Sequence, residues 1–527
     1  MVKEIPASLH VTGGRKAVKT AVPGVRTRQI VAVALVAVLV FARAVPSVQA
    51  QAQPRVPAPA AGFTALAALS DGGPAVSALA VDPADGRVLA ELNAGTRLTP
   101  ASLTKLTVAA AVLDHWPADH TFQTRLLAAG DIQSGTLTGD LVLQGSGDPS
   151  LDAAALWSLA AQVRGAGIAA IRGRVLVSLA PFGVVDCETK DRCDARQKSD
   201  RSYNAPIAAA GVDYGTWCIS VRPGAPGQPA QVRGCQVAQL PIAVEGSIRT
   251  AARGGRTTLW AERTTVAGAD VLRVAGDIAA EAPQELYRAM SDPARGTGLL
   301  LQEMLREIGV TSSGDVVVTA TAPARATVLA QAEGLALGEQ LGRMLRYSNN
   351  YIADVLTLDL AADTQGAPPA TLAAAAGVLS DFAGPARAGP GPLRGCNGGT
   401  PPVLRSGSGL TPENLLSACD LVAVLMRQYR DTRHFPVFYG GLVVPRDAPF
   451  GFLRQGGDAW LDRVALKTGS MDDPHSVLGI AGYLRKQDGG FIAFAAIING
   501  GGARSHVPLG SSMQAARADI ESLLERY

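Results

Sequence analysis

The sequence predicts an α/β (α+β) fold: an antiparallel sheet with helices, interrupted by a large β-rich insertion. Three observations carry this expectation. A strand pair followed by a long apolar helix opens the folded part, and two strands with a helix close it. Between them, from about residue 121 to 320, the texture changes to short strand-like runs separated by Gly, Pro and Asp. At 527 residues the chain is too long for one ordinary core. With 47% hydrophobic and 18% charged residues it has ample material for two or three. A net charge of +3 argues against nucleic acid as a partner, which would select a clustered basic surface.

The elements follow in order. Ile30–Phe41 ("IVAVALVAVLVF") is a 12-residue apolar run preceded by Arg26 and Arg28, too short to span a bilayer comfortably. "VQA" at Val48–Ala50 has the small-residue form of a cleavage site, so residues 1–50 read as a signal peptide and mature chain is expected to begin near Gln51. Left uncleaved, the same run would give a peripheral membrane association. Residues 51–61 ("QAQPRVPAPAA") are a Pro/Ala-rich linker. Residues 62–120 form the first part of the main domain. There Val76–Gly95 reads as two strands around a turn at Asp82–Gly86, and Leu103–Trp116 as a helix apolar on more than one face, hence buried. Residues 121–320 are the β-rich insertion, divisible into two nested subdomains, with runs such as "LVLQG", "GRVLVSL", "CISVRPG" and "LRVAGDI". Residues 321–527 complete the main domain, with helical patterning at Leu337–Ala361, Thr371–Phe382 and Asn414–Tyr429. Then come the strands "SVLGIAGYL" and "GFIAFAAIING", joined by a turn at Lys486–Gly490, and a closing helix at Met513–Arg526.

Chemistry enters through lysine. The chain has 8 Lys against 40 Arg, and only five lysines lie beyond Ala50. Lys105 falls in the apolar helix three residues after Ser102, a spacing that puts both on one face. A serine hydroxyl is a weak nucleophile until a base takes its proton. A desolvated lysine can act as that base, whereas arginine stays protonated. Alone, Ser-x-x-Lys is more often a helix cap with an exposed lysine one turn on. A second rare lysine, Lys467, begins "KTGS" (Lys467, Thr468, Gly469, Ser470) ahead of the closing strands. Between the two, "YSNNYIAD" places Ser348 and Asn350 in a helical region.

The order Ser-x-x-Lys, Ser-x-Asn, Lys-Thr-Gly is that of penicillin-binding proteins and class A β-lactamases. The chain thus resembles the penicillin-interacting serine D-Ala-D-Ala peptidases. Ser102 and Ser348 lie 246 residues apart, and Ser348 and Lys467 lie 119 apart. Class A β-lactamases keep the first pair far closer and carry a Glu-x-x-Leu-Asn element that is missing here. A large insertion after the first motif resembles instead the low-molecular-mass D-alanyl-D-alanine carboxypeptidase/endopeptidase family. "GDLVLQGSGDPSL", "SGSGLTPEN" and "KTGSMDDPHSVLGIAGYL" extend the likeness over roughly Ala65 to Tyr527. Two departures stand out: Ser406 where the family commonly has Asp, and a longer turn at Met471–His475.

The resemblance implies a penicillin-recognising serine transpeptidase-like domain, with Ser102 as nucleophile and Lys105 as its base. Ser348 would relay a proton, held with Asn350 near Lys105, and Lys467 with Thr468 would bind the substrate carboxylate. The N–H of Ser102 and one from the strand after Gly469 would form the oxyanion hole. The substrates implied are peptidoglycan stem peptides, with β-lactams as inhibitors and no metal or organic cofactor. Two rival readings are a serine β-lactamase and a non-catalytic peptidoglycan-binding scaffold. Export fits such a substrate, in the periplasm or at the cell-envelope exterior.

The six cysteines all follow the apolar run, and an even count in an exported chain reads as disulfides. Pairing nearest neighbours gives Cys187–Cys193, Cys218–Cys235 and Cys396–Cys419. A metal site is disfavoured, because there is no paired C-x-x-C and the six histidines are scattered.

Overall fold

Strands from both halves of the chain share one sheet. They are β1 (Ala75–Val81), β2 (Val88–Leu92), β3 (Val464–Met471), β4 (Val477–Arg485) and β5 (Phe491–Asn499), antiparallel in the order β2-β1-β5-β4-β3. The computed structural model describes residues 62–186, 189–281, 283–369, 371–384, 396, 401–501 and 505–527. The expected signal peptide and linker lie outside them. Within them, no helix is long and apolar enough to cross a membrane.

Helices cover both faces of this sheet, so its strands are apolar on both sides and successive residues serve different cores. Val76, Ala78 and Ala80 of β1 pack, with Phe494 and Ile498 of β5, against α1 (Thr64–Asp71) and the last helix, Leu509–Arg526. Phe63 gives α1 no side-chain cap; Asp519 of the last helix accepts from the N–H groups of Ala65 and Leu66 at 3.0 and 2.9 Å instead. Leu79 and Val81 of β1 and Ala493, Ala495 and Ile497 of β5 face the opposite core. There they meet α2 (Thr104–His115), which is buried continuously from Thr104 to Leu113, so the expected buried helix is present.

Two helix expectations are corrected. The span Leu337–Ala361 is not one helix but two, α3 (Leu337–Tyr347) and α4 (Asn350–Gln365), parted by Ser348 in the left-handed region at φ 57°. The helix expected from Asn414 starts at Ala418 as α5 (Ala418–Arg430). A reciprocal cap between Ser417 and Asp420 fixes that start.

The inserted segment leaves the sheet's neighbourhood at Gln123. Its five-stranded mixed sheet joins, in spatial order, Val316–Thr319, Val175–Ser178, Asp140–Gln144, Gln123–Ala129 and Thr327–Glu333. The last strand pairs antiparallel with Gln123–Ala129, so the boundary expected at residue 320 falls before the segment's final strand. Helices Ala153–Gly165 and Pro293–Glu307, each capped by an Asp side chain, also belong to it, and the segment is less purely β than its texture suggests. Smaller sheets between Lys198 and Ala289 share a continuous core with the five-stranded one, as Leu143, Leu156, Trp217 and Leu272 show. Cys218–Cys235 and Cys396–Cys419 are joined as nearest-neighbour pairing expects. The proposed Cys187–Cys193 bridge involves Cys187, which lies outside the described residues.

Candidate active site

Ser102 sits in the tight turn Ala101–Leu103 that leads into α2. The residue before it, Ala101, is held at φ 47°, a left-handed conformation that costs a non-glycine residue about 1–3 kcal/mol. Neighbouring groups over-determine that turn. Thr104 Oγ1 donates to the Ala101 carbonyl at 2.9 Å, and Asn414 Nδ2 donates to Thr104 Oγ1 at 3.1 Å. Gly409 passes so close that a Cβ there would stand 2.0 Å from the Ala101 oxygen.

One turn on, Lys105 is fully buried. Its Nζ lies 2.9 Å from Ser102 Oγ, 2.8 Å from Asn350 Oδ1 and 2.6 Å from the Ser408 carbonyl oxygen. Two of these neighbours only accept, while the hydroxyl can also donate. A neutral amine, with two N–H bonds and one lone pair, matches this set when its lone pair faces Ser102 Oγ. Burial pushes the Lys105 pKa well below its ordinary value; Lys467 and Arg192 add to the shift and Asp354 opposes it.

The Ser-x-Asn motif is the joint between α3 and α4. Ser348 closes α3, and Asn349 caps α4 by accepting from the Ile352 N–H at 2.9 Å. Asp and Asn cap helices about equally well, so Asn349 can stand where the resemblance has Asp. Asn350 turns its oxygen to Lys105, and its Nδ2 donates to the Tyr203 carbonyl of the inserted segment at 3.1 Å.

Lys467 on β3 is also buried. Its Nζ donates to Ser348 Oγ at 2.8 Å and to the Thr468 carbonyl at 2.6 Å. Burial lowers its pKa to about 7. The two lysine–serine pairs, Lys105–Ser102 and Lys467–Ser348, are linked through the Ser348–Asn350 joint, and the Lys467 charge bears on Lys105. Gly469 lets β3 pass over the nucleophile: a Cβ would stand 2.6 Å from the Pro100 oxygen and 3.0 Å from the Ser102 nitrogen. Both are backbone atoms that cannot swing aside. Gly469→Ala should thus slow acylation at least about tenfold by displacing the strand, on the scale of small misplacements in a reacting geometry. Stopped-flow labelling with a fluorescent penicillin measures this; an unchanged rate would refute the close approach.

Thr468 is half-buried and Ser470 exposed, and no described hydrogen bond ties either hydroxyl into the cluster. Strand β3 is the sheet's edge, bridged on its outer side by Val443 at Leu466. Beyond Leu466, no described backbone pairing continues along that edge.

Two participants, the Ser408 carbonyl and Asp354, escape the sequence reading, and a third, Ser406, enters it only as a departure. The Ser408 carbonyl lies in the quoted "SGSGL" stretch, but nothing in a sequence marks a backbone oxygen as a partner. Ser406, where an Asp is expected, is buried and accepts from the Gly409 N–H at 3.1 Å, a turn-closing task that needs an oxygen acceptor rather than a charge. Asp354 accepts from the Ser408 N–H at 2.8 Å and forms a buried ion pair with Arg192 at 2.5 Å. The one available signal was that Asp354 lies four residues after Asn350, on the same helix face.

The description "D-Ala-D-Ala carboxypeptidase 3 (S13) family" belongs to the family model that matches residues 65–520 of this chain. A D-alanyl-D-alanine carboxypeptidase of Actinomadura sp. (strain R39) is 32% identical over 443 residues, covering 80% of this chain and 77% of the relative. The crystal structure of penicillin binding protein 4 from Haemophilus influenzae superposes with a TM-score of 0.67 at 24% identity, covering 86% of this chain and 97% of the other. A second structure of it, complexed with a novel β-lactam, gives a TM-score of 0.64 at 23% identity, over 87% of this chain and 99% of the other.

Proposed function

The chain belongs to the D-Ala-D-Ala carboxypeptidase 3 (S13) family and is a serine peptidase, and on that premise we propose that Ser102, Lys105, Ser348, Asn350 and Lys467 cleave peptidoglycan stem peptides through an acyl-enzyme. The observation that carries this is the Lys105 amine, buried and 2.9 Å from Ser102 Oγ with two acceptors occupying its N–H bonds. The substrate lies along the free edge of β3, with its carboxylate towards Lys467, Thr468 and Ser470. Ser102 Oγ attacks the scissile carbonyl carbon as its proton passes to Lys105 Nζ. The N–H groups of Ser102 and Ser470 receive the oxyanion. Collapse of the intermediate breaks the C–N bond, and the proton travels through the Ser348 hydroxyl to the leaving amine. An ester remains on Ser102, and water cleaves it to the acid and restores the hydroxyl.

Lys467 serves binding in this scheme. With a pKa of about 7 it is partly neutral in the empty site. An arriving carboxylate favours its charged form, so substrate binding draws a proton onto it. A β-lactam carries a comparable carbonyl and carboxylate and would acylate Ser102 by the same attack; the similar protein solved in complex with a β-lactam supports β-lactam binding. The two disulfides fit an oxidising compartment, and we place the enzyme in the periplasm or at the cell-envelope exterior after export.

Mass spectrometry of purified muropeptides tests the reading. Incubation with the enzyme should release D-Ala from uncross-linked pentapeptides, or separate cross-linked dimers, while Ser102→Ala does neither. Intact substrate in both pools would overturn it.

A further inference from the structure

We propose that Arg192, supplied by the inserted segment, is a positioning residue for the base: pairing with Asp354, it steadies the loop that orients Lys105 and cancels the negative charge facing that lysine. The proposal rests on the reading of Lys105 as the base.

The contacts form a short chain. Arg192 lies in the helix Lys190–Ala195, inside the charged run Lys190–Asp200 ("KDRCDARQKSD"), yet it is only 2% exposed. Its Nη1 stands 2.5 Å from Asp354 Oδ2, and its Nε donates to the Ala205 carbonyl at 3.2 Å. Asp354, fully buried on α4, accepts from the Ser408 N–H at 2.8 Å through its other oxygen. The carbonyl of the same Ser408 accepts from Lys105 Nζ at 2.6 Å. Arg192 thus reaches the base through one carboxylate and one backbone residue. The inserted segment touches the cluster a second time where the Tyr203 carbonyl takes the Asn350 amide.

Charge gives these contacts a consequence. The charged groups that act on Lys105 are Lys467 from β3, Asp354 from α4 and Arg192 from the inserted segment. Asp354 alone favours the ammonium form of Lys105, and an ammonium cannot accept the Ser102 proton. Arg192 offsets that carboxylate and adds its own repulsion. Removing Arg192 raises the lysine's affinity for a proton; removing the Asp354 charge lowers it. Structural damage has no reason to act in opposite directions.

The experiment is the pH dependence of covalent acylation by a penicillin, for the wild type, Arg192→Gln, Arg192→Lys, Asp354→Asn and the double variant Arg192→Gln/Asp354→Asn. The acidic limb for Arg192→Gln should move to higher pH by about one unit, a roughly tenfold slower rate below the limb. Arg192→Lys, which keeps the charge, should stay near the wild type. Asp354→Asn should move the limb to lower pH, and the double variant should return it towards the wild type. Coincident limbs, or shifts of the two single variants in the same direction, would overturn the proposal. Should Arg192→Gln fail to fold, the direction of the Asp354→Asn shift decides alone. Lys105→Arg, run in parallel, separates the two readings. If it acylates at the wild-type rate, the base assignment fails. If it is silent while the other limbs do not move, only the role of Arg192 fails.

Discussion

Ser102→Ala is expected to abolish peptide hydrolysis and covalent penicillin labelling together, because both begin with the same attack. Removing the nucleophile of a serine peptidase costs on the order of a millionfold in kcat. The missing hydroxyl makes one hydrogen bond, shared with the Lys105 amine, while the turn that carries it is held by Thr104, Asn414 and Gly409. The variant should therefore fold, with a melting temperature close to the wild type, and fail chemically. Intact-mass spectrometry after incubation with penicillin reads the outcome. An adduct on Ser102→Ala would put the nucleophile elsewhere. A wild-type adduct that persists for many turnover times would also argue against the β-lactamase reading.

The two motif lysines should answer differently to arginine. Lys105→Arg replaces a residue that can lose its proton with one that cannot. It also forces a five-donor head into a space where one amine has three neighbours within 2.9 Å. Acylation should slow by about a thousandfold or more, within the range for loss of a general base. Lys467→Arg keeps a cation for the substrate carboxylate, though the larger head must crowd Ser348 and the Thr468 carbonyl. Its loss should be milder, about ten- to a hundredfold, and appear mainly in KM for a peptide with a free carboxylate. Equal losses in kcat would contradict the division of roles.

What could be read from the residues followed the reach of local rules. The hairpin β1–β2, the buried helix α2 and the strands β4 and β5 were legible because apolar periodicity is local. So were Ser102 and Lys105, which a helical spacing brings together without help from the rest of the fold. The break at Ser348 was not, because a single residue at φ 57° leaves helix-forming sequence intact on both sides. Helix Ala153–Gly165 was missed for a different reason: its Ala-rich pattern sits among strand runs whose Gly and Pro punctuation dominates the texture. Arg192 was out of reach altogether, and Asp354 offered only its spacing from Asn350 on one helix face. One arginine in a charged stretch looks like a solvated surface, and only tertiary packing buries it against a carboxylate 162 residues away.

The sheet order β2-β1-β5-β4-β3 also governs when the enzyme can exist during its synthesis. Strand β1 runs alongside β5, and Asn499 at the end of β5 donates to the Thr99 carbonyl, 400 residues earlier and just ahead of the nucleophile turn. A ribosome extends the chain from its N-terminal end, at about 5–20 residues per second. At that rate the early hairpin waits roughly 20 to 80 s with an unpaired apolar edge before its partner is made. During that wait Ser102 has neither the strand that lies over it nor Lys467. No order of folding completes the catalytic surroundings before residue 499 is available, so a chain that stops short of β5 cannot be acylated.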